Sequence, residues 1–195
     1  NHNHDFELAK QLIDAAADAG VDAVKFQTFR ARSHYSKHTP GFSYLNNCNT
    51  FDLIKRLEID RSWHAPLKEY AESRNLAFLS SPCDIEAIDE LNQLGLRAFK
   101  VASFDLSDLS LIRHMARTGR PIILSTGMAD WMDIQRAVDA CRREGNDKIV
   151  LLQCTSLYPA PVHLSNLHAM KVMHDAFGVL VGYSDHTEGD HICLA

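Results

Sequence analysis

Short apolar segments alternate with amphipathic helical patterns along the chain, and this alternation constrains the fold more than any other feature. Strand-like runs cover residues 21–27, 77–81, 97–103, 121–127, 148–154 and 179–184. Helical patterns cover residues 5–20, 63–74, 85–95, 109–119, 131–145 and 166–178, and residues 28–49 are predicted to form a long polar loop. Buried strands that alternate with helices are typical of parallel βαβ units with right-handed crossovers. The sequence therefore predicts an α/β fold.

Two architectures fit this pattern, a doubly wound open sheet and a (β/α)8 barrel. No GxGxxG motif follows a strand, whereas polar residues end the runs FKVAS, IILSTG, LLQCTS and GYSDHTEG. The active site of a barrel draws on the carboxyl ends of many strands, while an open sheet uses one switch point. We therefore predict a (β/α)8 TIM barrel.

Two lysines lie inside predicted strands. In VDAVKFQ, a period of two places Lys25 on the face opposite its bulky neighbours Val24 and Phe26, and Lys100 has the same relation to its neighbours in RAFKVAS. In a barrel the small-residue face points inward, so both lysines should point into the barrel. A buried lysine is costly unless an anion or an acid partners it, so a structural ion pair or an anionic ligand is expected.

Hydroxyl side chains recur at the same strand ends. They are Ser80, Ser81, Ser103, Ser125, Thr126, Thr155, Ser156 and Ser184. Each one taken alone is typical of a helix cap or a turn. Their recurrence near two lysines favours an anionic ligand over a structural ion pair.

Composition excludes several other classes of protein. The net charge of -5 argues against a nucleic-acid surface, and no run approaches the roughly 18 apolar residues of a membrane span. The five cysteines are odd in number and show no CxxC spacing. They favour reduced thiols and a cytoplasmic location.

Ordered motifs connect the chain to a known family. NHNHDFELAKQLIDAA resembles the opening of the sialic acid synthase (N-acetylneuraminate synthase) family, and VKFQTF, FLSSP, FKVASFDL, RPIILSTGM, LLQCTSLYPAP and VGYSDHTEG match that family in order. The resemblance implies a barrel that condenses phosphoenolpyruvate with an N-acetylated amino sugar such as N-acetylmannosamine. The products are a nine-carbon 2-keto sugar acid and phosphate. It also implies a divalent metal, expected to be Mn²⁺ with Mg²⁺ or Co²⁺ as alternatives, and a homodimer.

The resemblance also assigns roles to individual residues. The expected phosphoenolpyruvate site consists of Lys25, Ser81, Lys100, Ser103, Ser125, Ser156 and Ser184. The expected amino-sugar contacts are Gln27, Asp105 and Tyr158, and His186 is expected to bind the metal. Asp185 is expected to orient the loop or the metal ligands.

Set against the family, the 195 residues correspond to strands two to seven of one TIM-barrel synthase domain. We expect the first and last strands and a small C-terminal antifreeze-like domain to lie outside them, so that the chain is part of a longer protein.

Other interpretations stay open from the sequence. One is a Schiff-base aldolase that uses Lys25 or Lys100 as nucleophile. Another is a non-catalytic sugar- or anion-binding barrel remnant. The amino sugar is also open, because N-acetylmannosamine and the bacillosamine-type precursors of legionaminic or pseudaminic acid all suit the family.

Overall fold

The computed structural model describes residues 2–41 and 49–195. Its contacts divide the chain into two compact units, residues 1–97 and residues 98–195. Among the described residues, none of the helices combines the length and the apolar character that a bilayer crossing demands. Four of the five cysteines are described and all four are free thiols, as predicted, while Cys48 lies outside the described residues.

The first unit alternates helices with two strands. Its elements are α1 (Phe6–Asp18), β1 (Ala23–Thr28), α2 (Ala31–His34), α3 (Thr50–Leu57), α4 (His64–Ser73), β2 (Ala77–Pro82) and α5 (Ile85–Gln93), with a 3-10 turn at Arg61–Trp63. Strands β1 and β2 pair in parallel. Helix α1 begins where the sequence predicts, because the side chain of Asp5 accepts a hydrogen bond from the backbone N–H of Leu8.

Helices α2 and α3 were missed by the sequence pattern. Helix α2 lies within the predicted loop at residues 28–49, and α3 lies just beyond it. The carboxylate of Glu58 accepts the N–H of Ala31 at 2.6 Å, and the side chain of Asn49 accepts the N–H of Asp52. These side chains satisfy backbone N–H groups at the starts of the two helices. The four residues of α2 are too few to show an apolar period, whereas α3 has Phe51, Ile54 and Leu57 at helical spacing. The part of the predicted loop at residues 42–48 lies outside the described residues.

The second unit contains four strands and three helices. Its elements are β3 (Phe99–Val101), α6 (Leu109–Arg117), β4 (Ile122–Ser125), α7 (Trp131–Arg143), β5 (Ile149–Cys154), α8 (His168–Phe177) and β6 (Leu180–Ser184), with 3-10 turns at Ser103–Asp105 and Val162–Leu164. The four strands pair in parallel in chain order. The predicted alternation of strands and helices is confirmed.

Side chains on the strands of the second unit alternate between the two faces of the sheet, and the strand register shows which residues share a face. Phe99, Val101, Ile122, Leu124 and Leu151 share one face and are almost completely buried. Each of these side chains contributes about 1.5–3 kcal/mol to folding when it leaves water. The opposite face carries Lys100, Ser125, Leu152, Cys154 and Ser184. The polar residues therefore lie on the face away from this apolar core.

Candidate active site

Lys100 is the middle residue of the short strand β3. Its Nζ atom donates to Oγ of Ser125 at 2.5 Å and to the carbonyl of Val101 at 2.7 Å. Only 8% of Lys100 is exposed. A buried ammonium group can donate charge-assisted hydrogen bonds to an anion.

Ser103 opens the 3-10 turn that follows β3. Its hydroxyl oxygen accepts the backbone N–H of Gly127 at 3.1 Å, and its hydroxyl hydrogen is donated to Sγ of Cys154 at 3.5 Å. Gly127 fits closely here, since an added Cβ would lie 2.5 Å from Oγ of Ser156 and 2.9 Å from Sγ of Cys154. The hydroxyls of Ser103 and Ser156 thus lie around one glycine.

His186 follows β6, and its ring is fixed from several sides. Its Nδ1 atom lies 2.8 Å from the carbonyl oxygen of Thr155, and its own carbonyl accepts the N–H of Ala160 at 2.8 Å. The ring packs against that of Tyr158, with 4.1 Å between centroids and 31° between the two planes. Because a carbonyl oxygen only accepts, Nδ1 carries a hydrogen, and in the neutral ring Nε2 therefore carries the lone pair. This is the arrangement that metal-binding histidines adopt.

Asp185 organises the loop beside His186. One carboxylate oxygen accepts the N–H of Thr187 at 2.8 Å, and the other accepts Sγ of Cys193 at 3.0 Å. The hydrogen bond from Thr187, followed by that from Cys193, lowers the pKa of Asp185. The bond to Asp185 in turn raises the pKa of the Cys193 thiol. Asp185 therefore has the loop-orienting contacts that the sequence analysis expects.

The other predicted residues of this unit occupy different surroundings. Asp105 ends the 3-10 turn and is buried, with 7% exposed. Ser184 lies directly opposite Cys154 in the β5–β6 register. Tyr158 is 77% exposed, so most of its surface is open to a ligand.

Three predicted site residues lie in the first unit. Gln27 lies opposite Ser81 in the β1–β2 register, and Lys25 lies two residues before Gln27 on the same face. Lys25 is exposed within a cavity of about 450 Å³ that His2 and Gln27 also line. The surrounding protein still desolvates its ammonium group, and this desolvation lowers the pKa of Lys25.

Sequence reasoning missed three positions. They are Cys154, the N–H of Gly127 and the carbonyl of Thr155, which contact Ser103 or His186. Backbone N–H and C=O groups are the same in nearly every residue, so residue type does not indicate which of them will contact the site. A buried cysteine such as Cys154 behaves as a small apolar residue, so the sequence does not indicate the neighbours of its thiol.

The fold and the relatives of the chain now define its class. The chain is an α/β protein with a fold of the TIM-barrel type, as predicted. Residues 12–195 match the NeuB family, and the chain belongs to that family.

Named relatives and a solved structure agree with this family. An N,N'-diacetyllegionaminic acid synthase from Campylobacter jejuni subsp. jejuni serotype O:2 is 43% identical over 100% of this chain and 60% of its own length. A pseudaminic acid synthase from Helicobacter pylori is 39% identical over 97% of this chain and 57% of its own length. The crystal structure of an N-acetylneuraminic acid (sialic acid) synthetase from Leptospira borgpetersenii serovar Hardjo-bovis, in complex with citrate, has a TM-score of 0.89 and 31% identity. That match covers 100% of this chain and 65% of the other.

Proposed function

We propose that the protein condenses phosphoenolpyruvate with an N-acetylated amino sugar and releases phosphate. The product is a nine-carbon 2-keto sugar acid of the sialic acid type. The chain spans about 60% of the curated relatives' length, so the reaction is assigned to the complete gene product. The observation that carries the proposal is the single polar face on which Lys100, Ser125 and Ser184 lie, with His186 just beyond Ser184.

Phosphoenolpyruvate carries a phosphate and a carboxylate, and the polar face offers donors for both. Lys100 supplies a buried positive charge, and Ser103, Ser125, Ser156 and Ser184 supply hydroxyl hydrogens. Charged hydrogen bonds are shorter and about twice as strong as neutral ones. In this proposal Lys25 and Ser81 of the first unit are further ligands of phosphoenolpyruvate, as the family resemblance implies.

His186 suits a divalent metal because the carbonyl of Thr155 binds the hydrogen on Nδ1. The lone pair of Nε2 is then available to coordinate the ion. When bound, such an ion acts as a Lewis acid that polarises the aldehyde of the open-chain sugar. We propose Mn²⁺, with Mg²⁺ or Co²⁺ as alternatives. Asp185 keeps the loop of His186 in place through its bonds to Thr187 and Cys193.

The bond changes balance with one water molecule. Carbon 3 of phosphoenolpyruvate forms a bond to the aldehyde carbon of the sugar, and the aldehyde oxygen takes a proton. Water adds at carbon 2, and phosphate leaves from that carbon to give the 2-keto acid. Lys100 and its hydroxyl neighbours hold the departing phosphate throughout.

The amino sugar is bound by Gln27, Asp105 and Tyr158 in this proposal. The identity of the sugar is a separate question, because the relatives are named for two different products, legionaminic acid and pseudaminic acid. We place the diacetylated legionaminic-type precursor first because that relative has the higher identity. A homodimer in the cytoplasm completes the proposal.

Phosphate release tests this function. The complete gene product is incubated with phosphoenolpyruvate and a panel of N-acetylated amino sugars, with Mn²⁺ or with a chelator. We expect release only with a sugar and with metal, and its loss in His186→Ala. The exposed His163 offers a matched control, His163→Ala, that should keep full activity. Absence of release with every sugar and metal would refute the proposal.

A Schiff-base aldolase is the second candidate, because the lowered pKa of Lys25 favours a neutral, nucleophilic amine. Borohydride reduction in the presence of pyruvate would then attach pyruvate covalently to Lys25. No attachment in the wild-type protein, together with metal-dependent phosphate release, excludes this candidate.

A further inference from the structure

Cys154 lies inside the proposed phosphoenolpyruvate site, yet the reaction above gives its thiol no role. The residue ends β5 and only 6% of it is exposed. Its Sγ atom accepts the hydroxyl hydrogen of Ser103 at 3.5 Å. The same sulfur lies 3.9 Å from Nδ1 of His186. That nitrogen has a closer acceptor, the carbonyl oxygen of Thr155 at 2.8 Å. The contact with Ser103 is therefore the one that the thiol can control.

The Ser103 hydroxyl is held by two bonds of unequal strength. The N–H of Gly127 fixes the oxygen at 3.1 Å, while the hydrogen is directed at Sγ of Cys154. Sulfur is a weak acceptor, whereas a hydroxyl oxygen is a strong one. The oxygen is thus anchored, and its hydrogen can turn at little cost.

We propose that Cys154 is a positioning residue whose weak acceptor sulfur keeps the Ser103 hydroxyl oriented but releasable, so that its hydrogen turns to an anionic oxygen of phosphoenolpyruvate. The inference rests on the proposed function. Turning exchanges a weak O–H···S contact for a charge-assisted bond, while the bond from Gly127 stays in place. A strong acceptor at position 154 would compete with the ligand for the same hydrogen.

Two substitutions separate this role from simple packing. Cys154→Ser supplies a strong acceptor of nearly the same size, so its Kd and KM for phosphoenolpyruvate should rise roughly three- to tenfold with kcat little changed. Cys154→Ala supplies no acceptor, so its Kd should stay within about twofold of wild type, although the lost volume lowers Tm. Packing alone predicts the reverse order, because alanine removes more atoms than serine does.

The measurement is calorimetric titration of the complete gene product with phosphoenolpyruvate, followed by kcat and KM. Cys141 offers a matched control, since it is buried in α7 and its burial raises the pKa of its thiol to about 11. Cys141→Ser should lower Tm and leave the Kd unchanged. An equal or larger rise in Kd for Cys154→Ala than for Cys154→Ser would overturn the inference, as would an unchanged Kd in both. Wild-type protein that binds no phosphoenolpyruvate would instead refute the proposed function.

Discussion

The Nζ atom of Lys100 lies 2.5 Å from Oγ of Ser125 on the neighbouring strand. The hydroxyl of Ser125 and the carbonyl of Val101 hold the ammonium group at a fixed point on the polar face. In the proposed function, that point is where an ammonium group donates charge-assisted hydrogen bonds to phosphoenolpyruvate.

Lys100→Met should weaken phosphoenolpyruvate binding at least tenfold, because hydrogen bonds to charged groups contribute about 1.5–3 kcal/mol. Phosphate release should fall by at least as much. Lys148 is a suitable control, since it is exposed before β5 and donates to the carbonyl of Gly119. Lys148→Met should keep wild-type kinetics. Equal effects of the two substitutions would show that overall charge, rather than position, matters.

Gly127→Ala should destabilise the protein by about 1–3 kcal/mol, the usual cost of overpacking. The new Cβ would lie 2.5 Å from Oγ of Ser156 and 3.0 Å from the backbone oxygen of Cys154, which cannot turn aside. Urea unfolding measures this loss. Gly182→Ala is the comparison, because its Cβ meets only Cδ2 of Leu152 at 3.0 Å. A loss for Gly182→Ala as large as that for Gly127→Ala would contradict this explanation.

In the proposed reaction, Tyr158 should affect the binding of the metal and of the sugar through different parts of its side chain. Tyr158→Phe keeps the ring on His186, so Mn²⁺ affinity should be unchanged while KM for the sugar rises. Tyr158→Ala removes the ring, and Mn²⁺ affinity should fall about two- to tenfold, because an aromatic pair contributes about 0.5–1.5 kcal/mol. Spin-resonance titration with Mn²⁺ measures the affinity. Unchanged Mn²⁺ binding in Tyr158→Ala would refute a role for the ring.

Protein stability should fall as the pH drops below about 6.5, because of His64. Its Nε2 atom is hydrogen bonded to Oγ1 of Thr28 at 2.9 Å, and that hydroxyl is bonded to Ser80. Burial lowers the pKa of His64 from its ordinary value of 6.5. Below that value the unfolded chain binds a proton more readily than the folded protein does, so acid favours unfolding.

Urea unfolding at pH 8, 6.5 and 5 tests this dependence. His64→Gln should reduce the slope of unfolding free energy against pH, whereas substitution of the exposed His163 by Gln should leave it unchanged. The same slope in both variants and in wild type would assign the acid sensitivity to other groups.

Asp84 should be a sensitive carboxylate of the first unit, because it both caps a helix and pairs with an arginine. It caps α5 through the N–H of Ala87 at 2.7 Å and receives Arg61 at 2.7 Å, with about 12% of each side chain of the ion pair exposed. Asp84→Ala loses these two bonds and a third from the hydroxyl of Ser33, and it should cost about 2–4 kcal/mol. Asp84→Asn keeps the cap and should cost less. Thermal or urea unfolding measures which of the two variants loses more stability.

The control for Asp84 is Lys171→Ala. Lys171 pairs with Asp175 on the exposed face of α8, where an ion pair contributes at most about 0.5 kcal/mol. A loss for Lys171→Ala as large as for Asp84→Ala would mean that burial does not distinguish the two pairs.

Periodicity predicted the fold and the strand face of Lys100, because both depend on which side of a strand a residue occupies. The placement of Lys100 opposite Phe99 and Val101 follows from a period of two, and the register of β3 with β4 confirms it. The predicted start of α1 was also correct, since Asp5 carries its own capping oxygen. Residue type and spacing were sufficient at these positions.

Contacts between residues distant in the chain could not be predicted in this way. Cys154 is 51 residues from Ser103, and only the pairing of intervening strands brings them together. Helix α3 was missed although Phe51, Ile54 and Leu57 recur at helical spacing along its eight residues, so its apolar face was a signal that the sequence did offer. Its start depends on Asn49, whose capping role depends on the local path of the chain.

The acceptor for the His186 ring belongs to the main chain of Thr155 rather than to a side chain. Every amino acid has such an oxygen, so a mutational library at position 155 retains the acceptor wherever the strand keeps its path. Under the proposed function, variant libraries aimed at other sugars can therefore randomise that codon and still preserve the tautomer of the imidazole beside it.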